Sequence, residues 1–188
     1  MNGSPSTRTI VLSVAAALVL TAASLLGVAL LMPAGPFSLP GSPVQGTACS
    51  APSFAGPTVK VTLSDMGSML GGPRMRGGMR LSSDRASVPS GKVSFAVTNA
   101  GSVPHELVIL PLPAGQVPGT RSVGADGRVD ETGSVGEASA SCAEGAGEGI
   151  LPGASSWVTV ELKPGTYELV CNLPGHYWAG MHTVLTAR

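Results

Sequence analysis

Tyr167-Glu168-Leu169-Val170-Cys171-Asn172-Leu173-Pro174-Gly175-His176-Tyr177-Trp178-Ala179-Gly180-Met181 places a thiol, an imidazole and a thioether on one short connection. Alternation puts Tyr167, Leu169 and Cys171 on one face, so a strand with its apolar side inward delivers the sulfur to the core at its end. Pro174 and Gly175 then turn the chain, His176 can swing back toward Cys171, and Met181 opens a further strand. Thiolate and thioether are soft donors that favour Cu(I), and imidazole serves both oxidation states, so the trio suits copper.

Two His and one Cys with a weak axial Met form the ligand set of type 1 copper centres, which leaves one imidazole to find. His105, in Asn99-Ala100-Gly101-Ser102-Val103-Pro104-His105-Glu106-Leu107, is the candidate. It follows a turn after a strand carrying Val93, Phe95 and Val97, so it belongs at an end of the fold where loops cluster. Pro104 stiffens its approach, and the Asn99 amide is expected to hold the loops together by hydrogen bonds.

Taken singly, a Cys on a strand is a small buried hydrophobe and a His a hydrogen-bonded structural residue. Their combination at these spacings reverses that reading. Zinc tolerates Cys-His-His, but a structural zinc site takes four nitrogen or thiolate ligands and leaves Met181 without a purpose. A cysteine nucleophile paired with His176 lacks an evident oxyanion donor or third orienting group. His182 alternates with Met181 and is expected to face solvent. Trp157 is read as core, and Trp178 as either a cover for the site or an exposed docking residue.

Outward from these loops, Val59, Val61 and Leu63 alternate with polar neighbours, as do Val93, Phe95 and Val97. Residues 105–112, 157–162, 166–171 and 181–187 read as further strands, separated by turn signals such as Ser90-Gly91 and Lys163-Pro164-Gly165. With 26 Gly and 16 Pro in 188 residues, a helical bundle is disfavoured. The expectation is an all-β antiparallel sandwich with Greek-key crossings, spanning 58–188. Two Gly-rich stretches interrupt it. Residues 65–83 carry Met66, Met69, Met75 and Met79, and residues 113–153 form an insertion too long for a hairpin connection.

Eleven basic and eleven acidic residues cancel, which leaves no electrostatic case for nucleic acid. The neutral total hides a polarised distribution: from Lys60 to Lys92 six residues are basic and two acidic, whereas from Arg121 to Glu148 two are basic and six acidic. Solvation of two exposed loops is the simpler explanation, with steering of a redox partner as the other.

Ile10 to Met32 comprises 23 largely apolar positions without a charge, enough at about 1.5 Å per residue to cross a hydrocarbon layer of roughly 30 Å. Residues 1–32 are therefore expected to be a transmembrane or signal helix, an uncleaved anchor being favoured because no convincing A-x-A site ends the segment. Arg8, the one charge before it, favours an inside N-terminus and an exported remainder. Residues 33–57, rich in Pro, Gly and Ser, read as a tether that lifts the domain off the membrane. Of the three cysteines, Cys171 goes to metal; Cys49 and Cys142 are left as the one available disulfide, although nothing in the sequence brings them together.

The isolated His105 ahead of a strand, followed by C-x4-H-x4-M from Cys171 through His176 to Met181, resembles the cupredoxin (type 1 blue copper) family. The Tyr-x-Leu-x-Cys strand, the Pro-Gly-His turn and Ala179-Gly180-Met181 are most similar to its rusticyanin- and sulfocyanin-like members, and Asn99-Ala-Gly with His105-Glu106-Leu107 matches the family's first ligand loop. The resemblance covers Thr58 to Arg188, with 113–153 departing from it. It implies a Greek-key β-sandwich holding one copper on His105, Cys171, His176 and Met181, within an apolar surround including Tyr177, Trp178 and Leu107. It implies an electron carrier, not an enzyme, exchanging single electrons with protein donors and acceptors; with the N-terminal segment, the expectation is a monomer on the outer face of the cytoplasmic membrane, or secreted after cleavage. The alternative is a copper-delivery protein that captures Cu(I) on Met66, Met69, Met75 and Met79.

Overall fold

Val59, Val61 and Leu63 are buried while Lys60 and Thr62 between them are exposed, as alternation requires of a strand with one inward face. The computed structural model describes residues 48–65 and 78–188, which belong to one unit, Pro43–Arg188. The expected membrane segment, the expected tether up to residue 47, and Met66, Met69 and Met75 lie outside the described residues. Among the described residues no helix is long and apolar enough to cross a membrane.

Among the described residues nine strands form two sheets: β1 (Thr58–Asp65), β2 (Met79–Ser83), β3 (Ser87–Val88), β4 (Gly91–Asn99), β5 (Leu107–Pro111), β6 (Gly136–Ala138), β7 (Ser155–Leu162), β8 (Gly165–Val170) and β9 (His182–Ala187). One sheet has the order β2-β1-β4-β7 and the other β3-β9-β8-β5-β6. Their inner faces share one core, in which Val59, Leu63, Phe95 and Val97 of the first meet Leu107, Ile109, Leu169 and Leu185 of the second. The expected antiparallel arrangement needs correction, because β1 pairs with β4, and β3 with β9, in parallel. Alternation specifies which residues face inward but not the direction of the strand alongside. Here the chain leaves the first sheet after β2, contributes β3 to the second, and returns as β4 beside β1.

The Leu107-Val108-Ile109-Leu110 run is buried throughout, since both faces of β5 are covered. Its inner face joins the main core, while Val108 and Leu110 pack outside the sheet with Val129, Val170 and Tyr177. Val129 belongs to the 113–153 insertion, which therefore covers the sheet. Cys49 and Cys142 are joined in a disulfide, tying the segment before β1 to the insertion across a sequence separation of 93. Trp157 is half-buried on the face of β7 opposite to Val158, Val160 and Leu162, so it is not a core residue.

Candidate metal centre

Cys171 follows β8, directly after the buried Val170, and its side chain joins Tyr167 and Leu169 in the main core with no solvent exposure. It is the free cysteine among the described residues. The connection after it is folded by its own main chain. His176 N–H donates to Leu173 O at 3.0 Å, and Gly175 sits at φ 81°, a left-handed turn conformation that glycine adopts without a Cβ penalty. Met181 N–H donates to His176 O at 3.2 Å and Cys171 N–H to Met181 O at 3.0 Å, so the loop closes on itself where β9 begins. Met181 is fully buried in the same core cluster as Cys171.

His105 precedes β5 and exchanges two main-chain hydrogen bonds with Ile150 of the insertion, at 3.1 and 2.7 Å. Asn99 is fully buried and ties these loops as expected. Its Nδ2 donates to Val103 O at 2.8 Å and Ile150 O at 2.7 Å, and its Oδ1 accepts from Gly101 N–H at 2.8 Å.

The sheet pairing of β5 with β8 brings the two loops together. Cys171 Sγ lies 3.3 Å from His176 Nδ1 and 3.9 Å from His105 Nδ1, and the two ring nitrogens are 3.2 Å apart. All three donor atoms lie within 4.8 Å of one another. Glu106 N–H also donates to Cys171 Sγ at 3.4 Å. Burial pushes the Cys171 thiol up to about 12, against the N–H groups of Glu106 and Leu173, and burial also lowers both imidazoles. In the metal-free centre burial thus favours the protonated thiol and the neutral rings, and a metal would have to displace the thiol proton.

The sequence did not point to Asp65, which ends β1 forty residues before His105 and looked like the start of a Gly-rich loop. Its Oδ2 stands 3.1 Å from His105 Nε2 and accepts from Ser102 N–H at 2.6 Å and Val103 N–H at 3.2 Å, while Oδ1 accepts from Ser102 Oγ at 2.5 Å. Burial raises this carboxyl, but the hydrogen bonds from Ser102, Val103 and His105 outweigh it and hold the group at about 2.

Three sequence expectations around the site change. Trp178 is 80% exposed and does not cover the centre. Tyr177 packs outside the second sheet, and its hydroxyl donates to the buried Glu168 at 3.0 Å, leaving Leu107 as the expected apolar neighbour that shares the core with Cys171. His182 is half-buried, its ring 5.2 Å from that of Tyr177 and its Nδ1 3.9 Å from Glu168, so it is not simply solvent-facing. Glu168, fully buried, also accepts from Arg121 Nε at 2.6 Å. These partners come from the insertion and the loop after β8, whose meeting could not be read from local periodicity.

The donor set fits copper better than its competitors. A thiol sulfur and two imidazole nitrogens, with a buried thioether at the end of the same loop, contain no carboxylate for a hard cation and no fourth nitrogen or thiolate for structural zinc.

No curated protein matches the sequence. Among solved structures, it is similar to a dithionite-reduced auracyanin from Roseiflexus castenholzii, at 21% identity over 72% of this chain and 99% of that one with a TM-score of 0.43. It is also similar to rusticyanin from Thiobacillus ferrooxidans, at 20% identity over 72% of this chain and 80% of that one with a TM-score of 0.46. A family model described as the sulfocyanin (SoxE) domain matches residues 80–188, a span that contains His105, Cys171, His176 and Met181. This all-β sandwich accordingly belongs to the sulfocyanin (SoxE) family.

Proposed function

We propose that this chain is a blue copper electron carrier in which His105, Cys171 and His176 would be the strong ligands and Met181 a weak one. The observation that carries the reading is the convergence of Cys171 Sγ and two imidazole Nδ1 atoms within 4.8 Å, His105 and Cys171 being buried and His176 half-buried. Copper bound there supplies a one-electron couple between Cu(I) and Cu(II). The chain's own part is to hold the donors still. Cys171 is fixed by β8 and the Glu106 N–H, His105 by Asn99 and Ile150, and His176 by the closed turn from Leu173 to Met181. Ligands that move little between oxidation states favour fast electron exchange, and burial keeps water from the sulfur.

The carrier works outside the cytoplasm, tethered by residues 10–32, as a monomer serving protein donors and acceptors. The Cys49–Cys142 disulfide supports that compartment, and the uncharged apolar segment supports the tether. Trp178, exposed two residues beyond His176, supports a protein partner approaching this loop.

The test is to add Cu(II) to the full-length chain in detergent and record the visible spectrum through cycles of reduction and reoxidation. An intense thiolate-to-copper absorption that bleaches and returns is expected, and its survival in Cys171→Ser would overturn the assignment. Rapid loss of metal to a chelator, with Cu(I) capture abolished by substituting Met66, Met69, Met75 and Met79, would favour copper delivery instead.

A further inference from the structure

We propose that Asp65 is a positioning residue for the metal centre, fixing His105 as the Nε2–H tautomer so that its Nδ1 lone pair faces Cys171 and His176, and placing a full negative charge behind the ring. This deepens the copper reading and rests on it for the consequence at the metal, but not for the tautomer.

The argument starts with strand register. β1 runs parallel to β4 with Leu63 opposite Asn99, so the two residues by which β1 continues carry Asp65 alongside the loop that follows β4. That loop directs four donors at the one carboxylate: Ser102 N–H, Ser102 Oγ–H, Val103 N–H and the His105 ring. The His105 side chain has no solvent exposure and that of Asp65 only 9%, so water does not compete freely for either. An ionised carboxylate can only accept, which requires the proton between Asp65 Oδ2 and His105 Nε2 to belong to the ring. In a neutral imidazole the other nitrogen is then bare. That nitrogen is Nδ1, which the geometry aims at Cys171 Sγ and His176 Nδ1.

A carboxylate behind a ligating histidine raises the basicity of the ring, and such partners typically carry about 10–100-fold in metal affinity. The added negative charge favours the more highly charged oxidation state, Cu(II), over Cu(I). Asp65 thus opposes the bias toward Cu(I) set by the soft sulfur donors and the apolar core.

Asp65→Asn is the informative variant. Its Oδ1 can accept the three bonds now made to Oδ2, and its Nδ2–H can donate to Ser102 Oγ, so the loop is kept and only the charge is lost. Asp65→Ala removes charge and hydrogen bonds together. The full-length protein, labelled with 15N, is examined metal-free by long-range 1H–15N spectroscopy for the His105 tautomer, then with copper for its absorption and reduction potential. His105 is expected to be Nε2–H in the wild type and in Asp65→Asn, and a mixture of tautomers in Asp65→Ala. With copper, Asp65→Asn is expected to retain the absorption while the Cu(I) to Cu(II) affinity ratio rises about tenfold, a potential ~59 mV higher. An Nδ1–H His105 in the wild type would overturn the proposal, as would an unchanged or lower potential in Asp65→Asn, since a carboxylate that merely folds the loop would leave both readouts in place. A wild type that never develops the absorption would refute the copper reading, and the tautomer measurement would still decide the assignment of Asp65.

Discussion

Asn172 and Val129 exchange two hydrogen bonds: Val129 N–H donates to Asn172 Oδ1 at 2.7 Å, and Asn172 Nδ2 donates to Val129 O at 2.9 Å. The residue after the candidate thiolate ligand thus pairs, through its side chain, with the main chain of the insertion. Gly175 N–H adds a bond to Gly127 O at 2.8 Å, and Arg121 N–H one to Tyr177 Oη at 3.1 Å. The insertion is a strap across the ligand loop. Asn172→Ala would leave both Val129 groups without partners in a buried place and should cost about 2–6 kcal/mol, each orphaned polar group contributing about 1–3. Urea unfolding of the metal-free protein measures this, and a loss below about 1 kcal/mol would show that the strap does not brace the loop.

The disulfide and the free thiol should separate cleanly. Closing a chain separation of 93 with the Cys49–Cys142 bond is expected to stabilise the fold by about 2–4 kcal/mol, mainly through the unfolded chain. Replacing both cysteines with serine should lower stability by that amount and leave the thiolate-to-copper absorption in place. Denaturant titration and the visible spectrum of the double variant test the two halves. Loss of the absorption from a folded double variant would mean that Cys171 is not the sole sulfur that matters.

The contrast between Cys171 and Asp65 shows what the sequence could convey. Cys171, His176 and Met181 lie within one connection, so spacing and donor chemistry predict that they meet, and alternation in Val59, Val61 and Leu63 predicts the inward face of β1. His105 and Asn99 were legible because a turn sits between an alternating strand and a continuous apolar run. Asp65 was not, because its role depends on β1 lying parallel to β4, a relationship that leaves no periodic trace. The short strands β2, β3 and β6 escaped for a similar reason: they have two to five residues, and their pairing comes from longer neighbours. The Arg121–Glu168–Tyr177 contacts join segments up to 56 residues apart, which no local pattern records.

Glu106 should give the metal-free protein a pH-dependent stability. Burial first, with Glu137 and Glu131 adding repulsion, pushes its carboxyl from 4.5 up to about 7 against the relief from Arg128, whose Nη1 stands 3.9 Å from Oε1. Oε1 is otherwise without a hydrogen-bond partner. Between about 4.5 and 7 the folded state holds this proton more tightly than the unfolded chain, so stability falls as pH rises through that window and levels off above it. The loss is bounded by up to about 3 kcal/mol. Glu106→Gln should flatten this part of the stability profile and be the more stable protein at pH values above it. Chemical unfolding at a series of pH values is the measurement, and an unchanged slope in the variant would remove Glu106 as its cause.

Gly101 tests how tightly the first ligand loop is built. A Cβ placed there would fall 2.1 Å from Asp65 Oδ2 and 2.9 Å from His105 Nε2, inside any normal contact distance. The backbone at Gly101 is not in a left-handed conformation, so the need for glycine is steric: the loop passes directly over the Asp65–His105 hydrogen bond. Gly101→Ala must push the carboxylate or the imidazole aside, and neither can move freely, because Asp65 is held by Ser102 and Val103 and His105 is fully buried. Overpacking of this kind costs about 1–3 kcal/mol. The spectroscopic effect should exceed what that destabilisation alone would cause, since the displaced atoms include a ligand ring. The expected result is a folded protein with a weakened and shifted thiolate-to-copper absorption and a reduction potential moved in the direction of Asp65→Asn. A Gly101→Ala protein that lost stability but kept the wild-type spectrum and potential would show that the Asp65–His105 contact can be displaced without consequence for the metal.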